Sequence, residues 1–249
     1  PLLIDNFTNN GHIKKYVGNR QAMTSSAHKG IGILGGTFDP VHYGHLRLAW
    51  EAFQQLQLDH VRFIPCHMPP HRGHPSSKAG HRLAMVERAC ASTPEFVVDE
   101  RELRKNSPSY SVETLLELRH EVGPERPLIF IMGMDAFSGF CNWYRWQDIL
   151  HLCHLWVGHR PGSEIPDIQQ PAGELLQQRS APAAALTHSP HGRIHVQSTV
   201  ALDISATYLR QQMQHGFSPR FLLPESVSDY IHQHGLYAPN YLTETIEHP

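Results

Sequence analysis

A glycine pair, an Asp-Pro and two histidines occur together in the stretch Gly35-Gly36-Thr37-Phe38-Asp39-Pro40-Val41-His42-Tyr43-Gly44-His45. It follows residues 31–34, a mostly apolar run that is typical of a buried parallel strand. After it, large apolar residues recur at intervals of three and four: Leu46, Trp50, Phe53 and Leu56. This spacing gives one apolar helix face, so the sequence predicts a strand, a glycine turn and a helix.

The predicted turn has the composition of a phosphate-binding site. Gly35 and Gly36 let the backbone approach a ligand because they carry no Cβ. The N–H groups at the start of the following helix favour an anion. His42 and His45 are three residues apart and can share one face of the first turn. Two imidazoles beside backbone amides suit a phosphorus centre that gains negative charge as it reacts.

Two other glycine motifs do not fit this stretch. Residues 30–35 match G-x-G-x-x-G, but the first glycines fall inside the predicted strand rather than after it. No Gly-Lys-Ser/Thr follows the glycines, so the stretch is not a Walker A loop. We therefore interpret the G-x-G-x-x-G match as a coincidence.

The composition excludes several classes of protein. A formal net charge of -2 over 249 residues gives no reason to expect nucleic acid as a partner. The four cysteines form no C-x-x-C pair, which is typical of reduced thiols in the cytoplasm. The 20 histidines show no metal-site spacing, so we expect no resident metal. No apolar run approaches the ~20 residues of a membrane span, and no secretory leader is expected. The oligomeric state is left open.

Strands and helices alternate along the rest of the chain. Strands are predicted at 61–65, 96–98, 128–132, 155–158 and 193–196, and helices at 79–91, 112–119, 206–215 and 225–234. The helix at 79–91 is expected to turn Leu83, Val86 and Ala89 or Cys90 inward. Residues 161–191 are expected to be variable and mobile, with at most a short helix at 174–179. This order predicts an α/β fold with a doubly wound parallel sheet, whose ligands bind beyond the carboxyl ends of the strands.

The glycine–histidine stretch resembles the GGTFDP-x-H-x-G-H signature of the HxGH nucleotidyltransferases. The whole chain is most similar to the bacterial nicotinate-nucleotide adenylyltransferases, from about Gly32 to Tyr237, with every motif in the family's order. The resemblance implies a Rossmann-like nucleotidyltransferase domain with C-terminal helices over residues 30–237. Residues 1–29 are then a loosely ordered N-terminal extension, and residues 238–249 a C-terminal tail.

This resemblance also implies a reaction. ATP and nicotinate mononucleotide would give nicotinate adenine dinucleotide and pyrophosphate, a step of NAD biosynthesis, with His42, His45 and Arg210 as catalytic residues. Mg²⁺ would be carried by ATP, because Mg²⁺ keeps its waters and needs few protein ligands. The implied ATP-binding residues are Gly35, Gly36, Thr37, Phe38, His42, His45, Gly133, Asp135, Arg160, Ser205, Thr207 and Arg210.

Residues 204–210 are similar to the family's second signature, I-S-[ST]-x-x-[IL]-R, which grips the triphosphate. Ser205, Thr207 and Arg210 match it, whereas Ala206 replaces the more usual serine and puts one hydroxyl contact in doubt. Without the resemblance, Ser205 or Thr207 could equally well be a helix cap and Arg210 a solvated side chain.

Three segments are implied to bind the acceptor nucleotide. His71 and Arg72 belong to a loop similar to the family's PPH-[RK]; the alternative is a metal cluster of nearby histidines. Tyr110 and Ser111 begin a helix that meets the nicotinate carboxylate in the family, although plain capping would explain them too. Trp143 matches a tryptophan that stacks on the pyridine ring, where a core aromatic is the alternative.

Three other functions stay open at this point. A sibling enzyme acting on nicotinamide mononucleotide or phosphopantetheine would share the same phosphate chemistry. A non-catalytic nucleotide-binding protein would be expected to lack His42, His45 or Arg210. A histidine-rich metal-binding module would need ligands that cluster in space.

Overall fold

The central sheet has six strands, and all of its neighbouring pairs are parallel. The computed structural model describes residues 29–68, 74–105, 107–160, 164–200 and 202–239. The strands are β1 (Ile31–Gly36), β2 (His60–Pro65), β3 (Phe96–Val98), β4 (Leu128–Gly133), β5 (His154–His159) and β6 (Ile194–Ser198). Their order is β3-β2-β1-β4-β5-β6. The order reverses between β1 and β4, which confirms the predicted doubly wound α/β fold.

The helices of the described residues cover both faces of this sheet. They are α1 (Tyr43–Leu56), α2 (Ala79–Cys90), α3 (Ser111–Val122), α4 (Met134–Ser138), α5 (Trp146–Ile149), α6 (Pro171–Arg179), α7 (Ala206–Gln214) and α8 (Glu225–Gln233). Short 3-10 helices lie at Phe140–Asn142 and Ala183–Thr187. No helix of the described residues has the length and apolar character needed to cross a bilayer.

Alternation along the strands divides the core into two layers. On β4, Ile129 and Ile131 face one layer, while Phe130 and Met132 face the other. The first layer is packed with side chains of α1, α2, α7 and α8, and the second with those of α3, α4, α5 and α6. A strand that is buried on both faces needs a continuous apolar run, and β4 has one.

α1 packs on the sheet through smaller residues than the apolar face suggested. Its fully buried residues are Ala49, Ala52 and Leu56. Leu46, Trp50 and Phe53 also pack on this core, but they are only partly buried. The small side chains of the two alanines are thus enclosed, while the larger side chains keep part of their surface exposed.

α2 and α6 correct two expectations. On α2, Val86, Ala89 and Cys90 are buried as expected, but Leu83 is only partly buried. Arg82 and Met85 are buried in addition. α6 begins at Pro171 rather than at residue 174, because a proline is tolerated in the first turn and Leu175 packs into the core. The described part of residues 161–191 therefore has more regular structure than the expected single short helix.

Candidate active site

A cavity of about 1130 Å³ opens at the carboxyl ends of β1, β4 and β5. Fifteen residues from the sequence-based site line this one cavity: Gly35, Gly36, Thr37, Phe38, His42, His45, Tyr110, Ser111, Gly133, Asp135, Trp143, Arg160, Ser205, Thr207 and Arg210. His71 and Arg72 lie outside the described residues. The fold thus brings together residues as far apart in the chain as Gly35 and Arg210.

The β1–α1 turn is held in shape by Phe38. Its backbone is left-handed, with φ 51°, and its side chain is buried in the core. A left-handed residue with a Cβ costs roughly 1–2 kcal/mol, which burial of the aromatic ring offsets. A Cβ on Gly36 would lie 3.1 Å from this ring. Glycine at position 36 therefore lets the phenylalanine fold back under the turn.

His42 and His45 lie side by side at the start of α1. Their ring centroids are 3.8 Å apart, and the His42 backbone N–H donates to His45 Nδ1 at 3.3 Å. A Cβ on Gly44 would lie 3.0 Å from the His42 ring, so the intervening glycine makes room for this pair. Because His45 Nδ1 is an acceptor, the proton of the neutral His45 ring is on Nε2.

Burial keeps His42 uncharged at neutral pH. The pKa of His42 is lowered to about 4, mainly by burial and secondarily by the positive charge of Arg160. Neutral imidazole has one N–H to donate and one nitrogen to accept. His42 can therefore take part in hydrogen bonds to phosphate oxygens in its neutral form.

The start of α7 forms the opposite side of the phosphate cradle. Ser205 is the N-cap residue, and its Oγ accepts a hydrogen bond from the Tyr208 backbone N–H at 3.1 Å. Arg210 donates to the Asp39 carbonyl at 2.7 Å and to Thr207 Oγ1 at 3.4 Å. Arg210 thereby ties α7 to the β1–α1 turn, and Ser205 is a cap that also lines the cavity.

Arg160 occupies the mouth of the cavity between two acidic residues. Its Nη1 lies 2.8 Å from Asp203 Oδ1, and its Nη2 lies 3.8 Å from Asp135 Oδ2. Both carboxylates are well exposed, so these ion pairs contribute little to stability. They do place the Arg160 guanidinium close enough for its positive charge to lower the pKa of His42. Asp203 was not among the residues chosen from the sequence.

The remaining wall is aromatic and contains a helix start. Tyr110 is the N-cap residue of α3 and Ser111 is its first residue. The Tyr110 ring packs on the Tyr144 ring with centroids 4.7 Å apart. Trp143 is partly buried, and its ring is nearly perpendicular to that of Phe130, with centroids 6.0 Å apart. Polar amides and an aromatic face thus occur together on this side of the cavity.

Comparison with known proteins identifies the family to which these features belong. A family model described as cytidylyltransferase-like matches residues 33–212. A probable nicotinate-nucleotide adenylyltransferase of Aeromonas hydrophila is 50% identical over 210 residues, which cover 84% of this chain and 97% of that protein. One from Dechloromonas aromatica is 46% identical over 210 residues, covering 83% of this chain and 97% of that protein.

The chain belongs to the nicotinate-nucleotide adenylyltransferase family. Solved structures agree on the fold of this family member. The nicotinic acid mononucleotide adenylyltransferase of Plasmodium falciparum, complexed with APC, superposes with a TM-score of 0.62 at 16% identity. A second structure of that protein, complexed with NaAD, gives the same TM-score at 17% identity. In both cases the match covers 84% of this chain and 98% of the other.

Asp39 of the family signature is a structural hub that sequence reasoning missed. Its buried carboxylate accepts hydrogen bonds from the Ser76 backbone N–H at 2.6 Å and from Ser77 Oγ at 2.5 Å. The Tyr237 hydroxyl also donates to it at 2.5 Å. Asp39 therefore fastens the signature turn to the segment before α2 and to the end of the described chain.

Glu102 is a second missed residue, in the wall near the start of α3. It lines the cavity, is only 7% exposed, and accepts a hydrogen bond from Thr114 Oγ1 at 2.5 Å. Burial raises the pKa of Glu102, while hydrogen bonds from Thr114 and Ser109 oppose this shift.

No group of three or more potential metal ligands forms among the described histidines, cysteines and acids.

Proposed function

We propose that this protein transfers AMP from ATP to nicotinate mononucleotide, giving nicotinate adenine dinucleotide and pyrophosphate in NAD biosynthesis. The observation that carries the proposal is that both phosphate-binding signatures and an amide-rich aromatic wall line one cavity. The two phosphate-binding signatures would hold ATP, and the aromatic wall would hold the acceptor. Membership in the nicotinate-nucleotide adenylyltransferase family supports this choice of substrates.

ATP would lie between the β1–α1 turn and the start of α7. The backbone at Gly35, Gly36 and Phe38 and the Thr37 hydroxyl would hold the phosphates nearest the reacting centre. Hydroxyls of Ser205 and Thr207 would donate to the β,γ end, together with the Arg210 guanidinium. Because Ser205 Oγ already accepts from Tyr208, its role toward ATP would be that of a donor.

Adenosine would extend from these phosphates toward the mouth of the cavity. Asp135, just after β4, would accept hydrogen bonds from the ribose hydroxyls. Gly133 leaves the approach open, since a Cβ there would meet no atom within 4 Å. Arg160 would lie beside the adenine, in the position where it now bridges Asp135 and Asp203.

The acceptor's phosphate is itself the nucleophile. One of its oxygens attacks the α-phosphorus, the bond to the bridging oxygen breaks, and pyrophosphate leaves with that electron pair. Catalysis is then positioning plus stabilisation of negative charge. His42 and His45 would donate to the α-phosphate oxygens, and Arg210 would stabilise the departing pyrophosphate.

The nicotinate ring would occupy the aromatic side of the cavity. Amides at Tyr110 and Ser111 would hold its carboxylate at the positive end of α3, a helix of 12 residues. The Trp143 face would stack on the pyridinium ring, which a cation–π attraction favours. His71 and Arg72 would bind the acceptor phosphate.

Magnesium would enter with ATP as part of the substrate. The described residues form no cluster of acids and histidines that could cage an ion. A Mg²⁺ ion bound chiefly by phosphates and water needs no such cluster. We therefore assign no protein residue as a resident metal ligand.

The catalytic domain would comprise residues 30–237. Tyr237 supports this C-terminal limit, since its hydroxyl bonds to Asp39 in the signature turn. Residues 1–29 would be an extension and residues 238–249 a tail.

The four cysteines are free thiols, which supports a reducing, cytoplasmic environment.

Pyrophosphate release from ATP with a panel of acceptors tests the proposed reaction. The panel contains nicotinate mononucleotide, nicotinamide mononucleotide and phosphopantetheine. The highest kcat/KM is expected for nicotinate mononucleotide. A preference for phosphopantetheine would identify a sibling enzyme, and no release with any acceptor would identify a non-catalytic protein.

A further inference from the structure

Arg82 is a charged residue in the interior of the protein. It lies on α2 with 1% of its surface exposed, among Met85, Val86 and Ala89 on the buried face of that helix. Burying a guanidinium is expensive unless its N–H groups find acceptors. The position of those acceptors therefore indicates what the residue is for.

The acceptors of Arg82 are backbone carbonyls on two different loops. Its Nη1 donates to the Thr37 carbonyl at 2.8 Å and to the Cys66 carbonyl at 2.6 Å. Its Nη2 donates to the His67 carbonyl at 3.0 Å. Thr37 is in the β1–α1 turn, and Cys66 and His67 follow β2. One planar guanidinium thus cross-links the turns that leave two adjacent strands.

These two turns serve opposite halves of the proposed reaction. The Thr37 turn would bind ATP, and the described residues after β2 contact the segment that leads into α3, on the side proposed for the acceptor. The link continues to the nicotinate side, because the His67 N–H donates to Ser109 Oγ at 2.9 Å. The Ser109 N–H in turn donates to the Met68 carbonyl at 3.0 Å.

We propose that Arg82 is a positioning residue that sets the distance between the α-phosphorus of ATP and the attacking phosphate. This inference rests on the proposed function. Arg82 lies beneath the loops and acts through their backbones, so it is not itself a catalytic residue. Its Nε finds no hydrogen-bond partner among the described residues. The side chain thus pairs the carbonyl groups of the two loops while one of its own N–H donors stays without a partner.

The kinetic consequence follows from which loop each substrate contacts. Binding of ATP without the acceptor depends on the Thr37 turn, and binding of the acceptor without ATP depends on the side of the cavity next to the loop after β2. Each substrate can therefore still bind when the Arg82 link between the two loops is weakened. The reaction needs both at a fixed separation, and a misplacement of ~1 Å can cost roughly 10²-fold in rate. Loss of the link should therefore lower kcat while leaving the two separate affinities nearly unchanged.

The test compares Arg82→Lys and Arg82→Met with Arg88→Lys. A lysine keeps the charge but cannot reproduce the planar fork, and a methionine keeps much of the length without a donor. Arg88 lies on the same helix but is exposed and stacks over the Tyr230 ring, which makes it the matched control. The measurements are kcat, calorimetric Kd values for ATP and for nicotinate mononucleotide separately, and hydrogen–deuterium exchange of the full chain.

For Arg82→Lys we expect kcat to fall about 10- to 100-fold, with both Kd values within about threefold of the parent. Exchange should rise together in peptides covering residues 36–45 and 64–68, and Arg88→Lys should change none of these quantities. Arg82→Met should show the same pattern more strongly.

Three results would overturn the inference. One is a folded Arg82→Lys with kcat within about threefold of the parent, well short of the expected loss. Another is ATP affinity that falls in Arg82→Met and recovers in Arg82→Lys, which would mean that Arg82 acts by its charge. The third is failure of both variants to fold. A parent protein without transferase activity would instead refute the proposed function, and the exchange data would still show whether Arg82 couples the two loops.

Discussion

Replacing His45 with alanine separates a catalytic role for this histidine from a structural one. The structural cost can be worked out from its contacts. Its Nδ1 accepts the His42 N–H at 3.3 Å, and the centroid of its ring lies 5.1 Å from that of Phe38 and 3.8 Å from that of His42. Losing one long hydrogen bond and these two ring contacts costs together about 2 kcal/mol of unfolding free energy. In a domain of this size, that lowers Tm by about 4–8 °C, so the variant stays folded at 25 °C.

The catalytic cost of the same substitution is larger. Removing one donor from a developing oxyanion typically lowers kcat by about 10²–10³, or roughly 2.7–4 kcal/mol of transition-state stabilisation. The KM for ATP should change far less, because the glycine turn and the start of α7 still hold the triphosphate. A protein that remains folded cannot lose this much turnover through its small loss of stability.

The assay measures kcat at saturating ATP and nicotinate mononucleotide, together with Tm, for the parent, His45→Ala and His120→Ala. His120 is an exposed residue of α3 outside the cavity, so its variant should match the parent in both quantities. A folded His45→Ala with kcat within about threefold of the parent would show that His45 is not catalytic, because loss of an oxyanion donor predicts a fall of at least ~100-fold.

Three further predictions concern the acceptor, pH and the end of the domain. A carboxylate held at the start of α3 should make kcat/KM at least ~10-fold higher for nicotinate than for nicotinamide mononucleotide; equal values would exclude carboxylate recognition. Burial lowers the pKa of His154 to about 4, below the ordinary 6.5 of the unfolded chain. The unfolded state therefore binds more protons between these values, and the free energy of unfolding should fall as pH drops from 6.5 toward 4. Urea titrations at pH 7 and pH 5 should show a loss of about 2 kcal/mol from this residue, which His154→Gln should lack. Tyr237→Phe removes the donor to Asp39 and should cost about 1.5–3 kcal/mol of stability with kcat within twofold; Tyr208→Phe, at an exposed position, should cost almost nothing.

Local patterns in the sequence predicted the framework of the site well. The strand, turn and helix around Gly35–His45 follow from glycine placement and apolar periodicity, and α1 begins at Tyr43. The start of α7 at Ala206 agrees with its prediction, and α3 begins at Ser111, one residue before the predicted helix at 112–119. These features depend on short-range preferences, which a single sequence shows directly.

The residues that brace the site could not be predicted, because their partners are distant in sequence. Asp39 bonds to Tyr237 across 198 positions, and Arg82 bonds to Thr37 across 45. One signal for Arg82 was present, since residue 82 is at helical spacing from the apolar residues 85, 86 and 89. A charged side chain is usually exposed to solvent. Only the fold shows that backbone carbonyls of two loops accept hydrogen bonds from this one.

Transfer of label from ATP carrying a radioactive α-phosphate shows whether AMP passes directly from ATP to nicotinate mononucleotide. The purified protein is mixed with this ATP, Mg²⁺ and nicotinate mononucleotide, and the products are separated from the protein. Direct transfer predicts that the label appears in nicotinate adenine dinucleotide, in amounts equal to the pyrophosphate released, and never on the protein. Label that stays in ATP, or that becomes covalently attached to the protein, would contradict direct transfer between the two bound nucleotides.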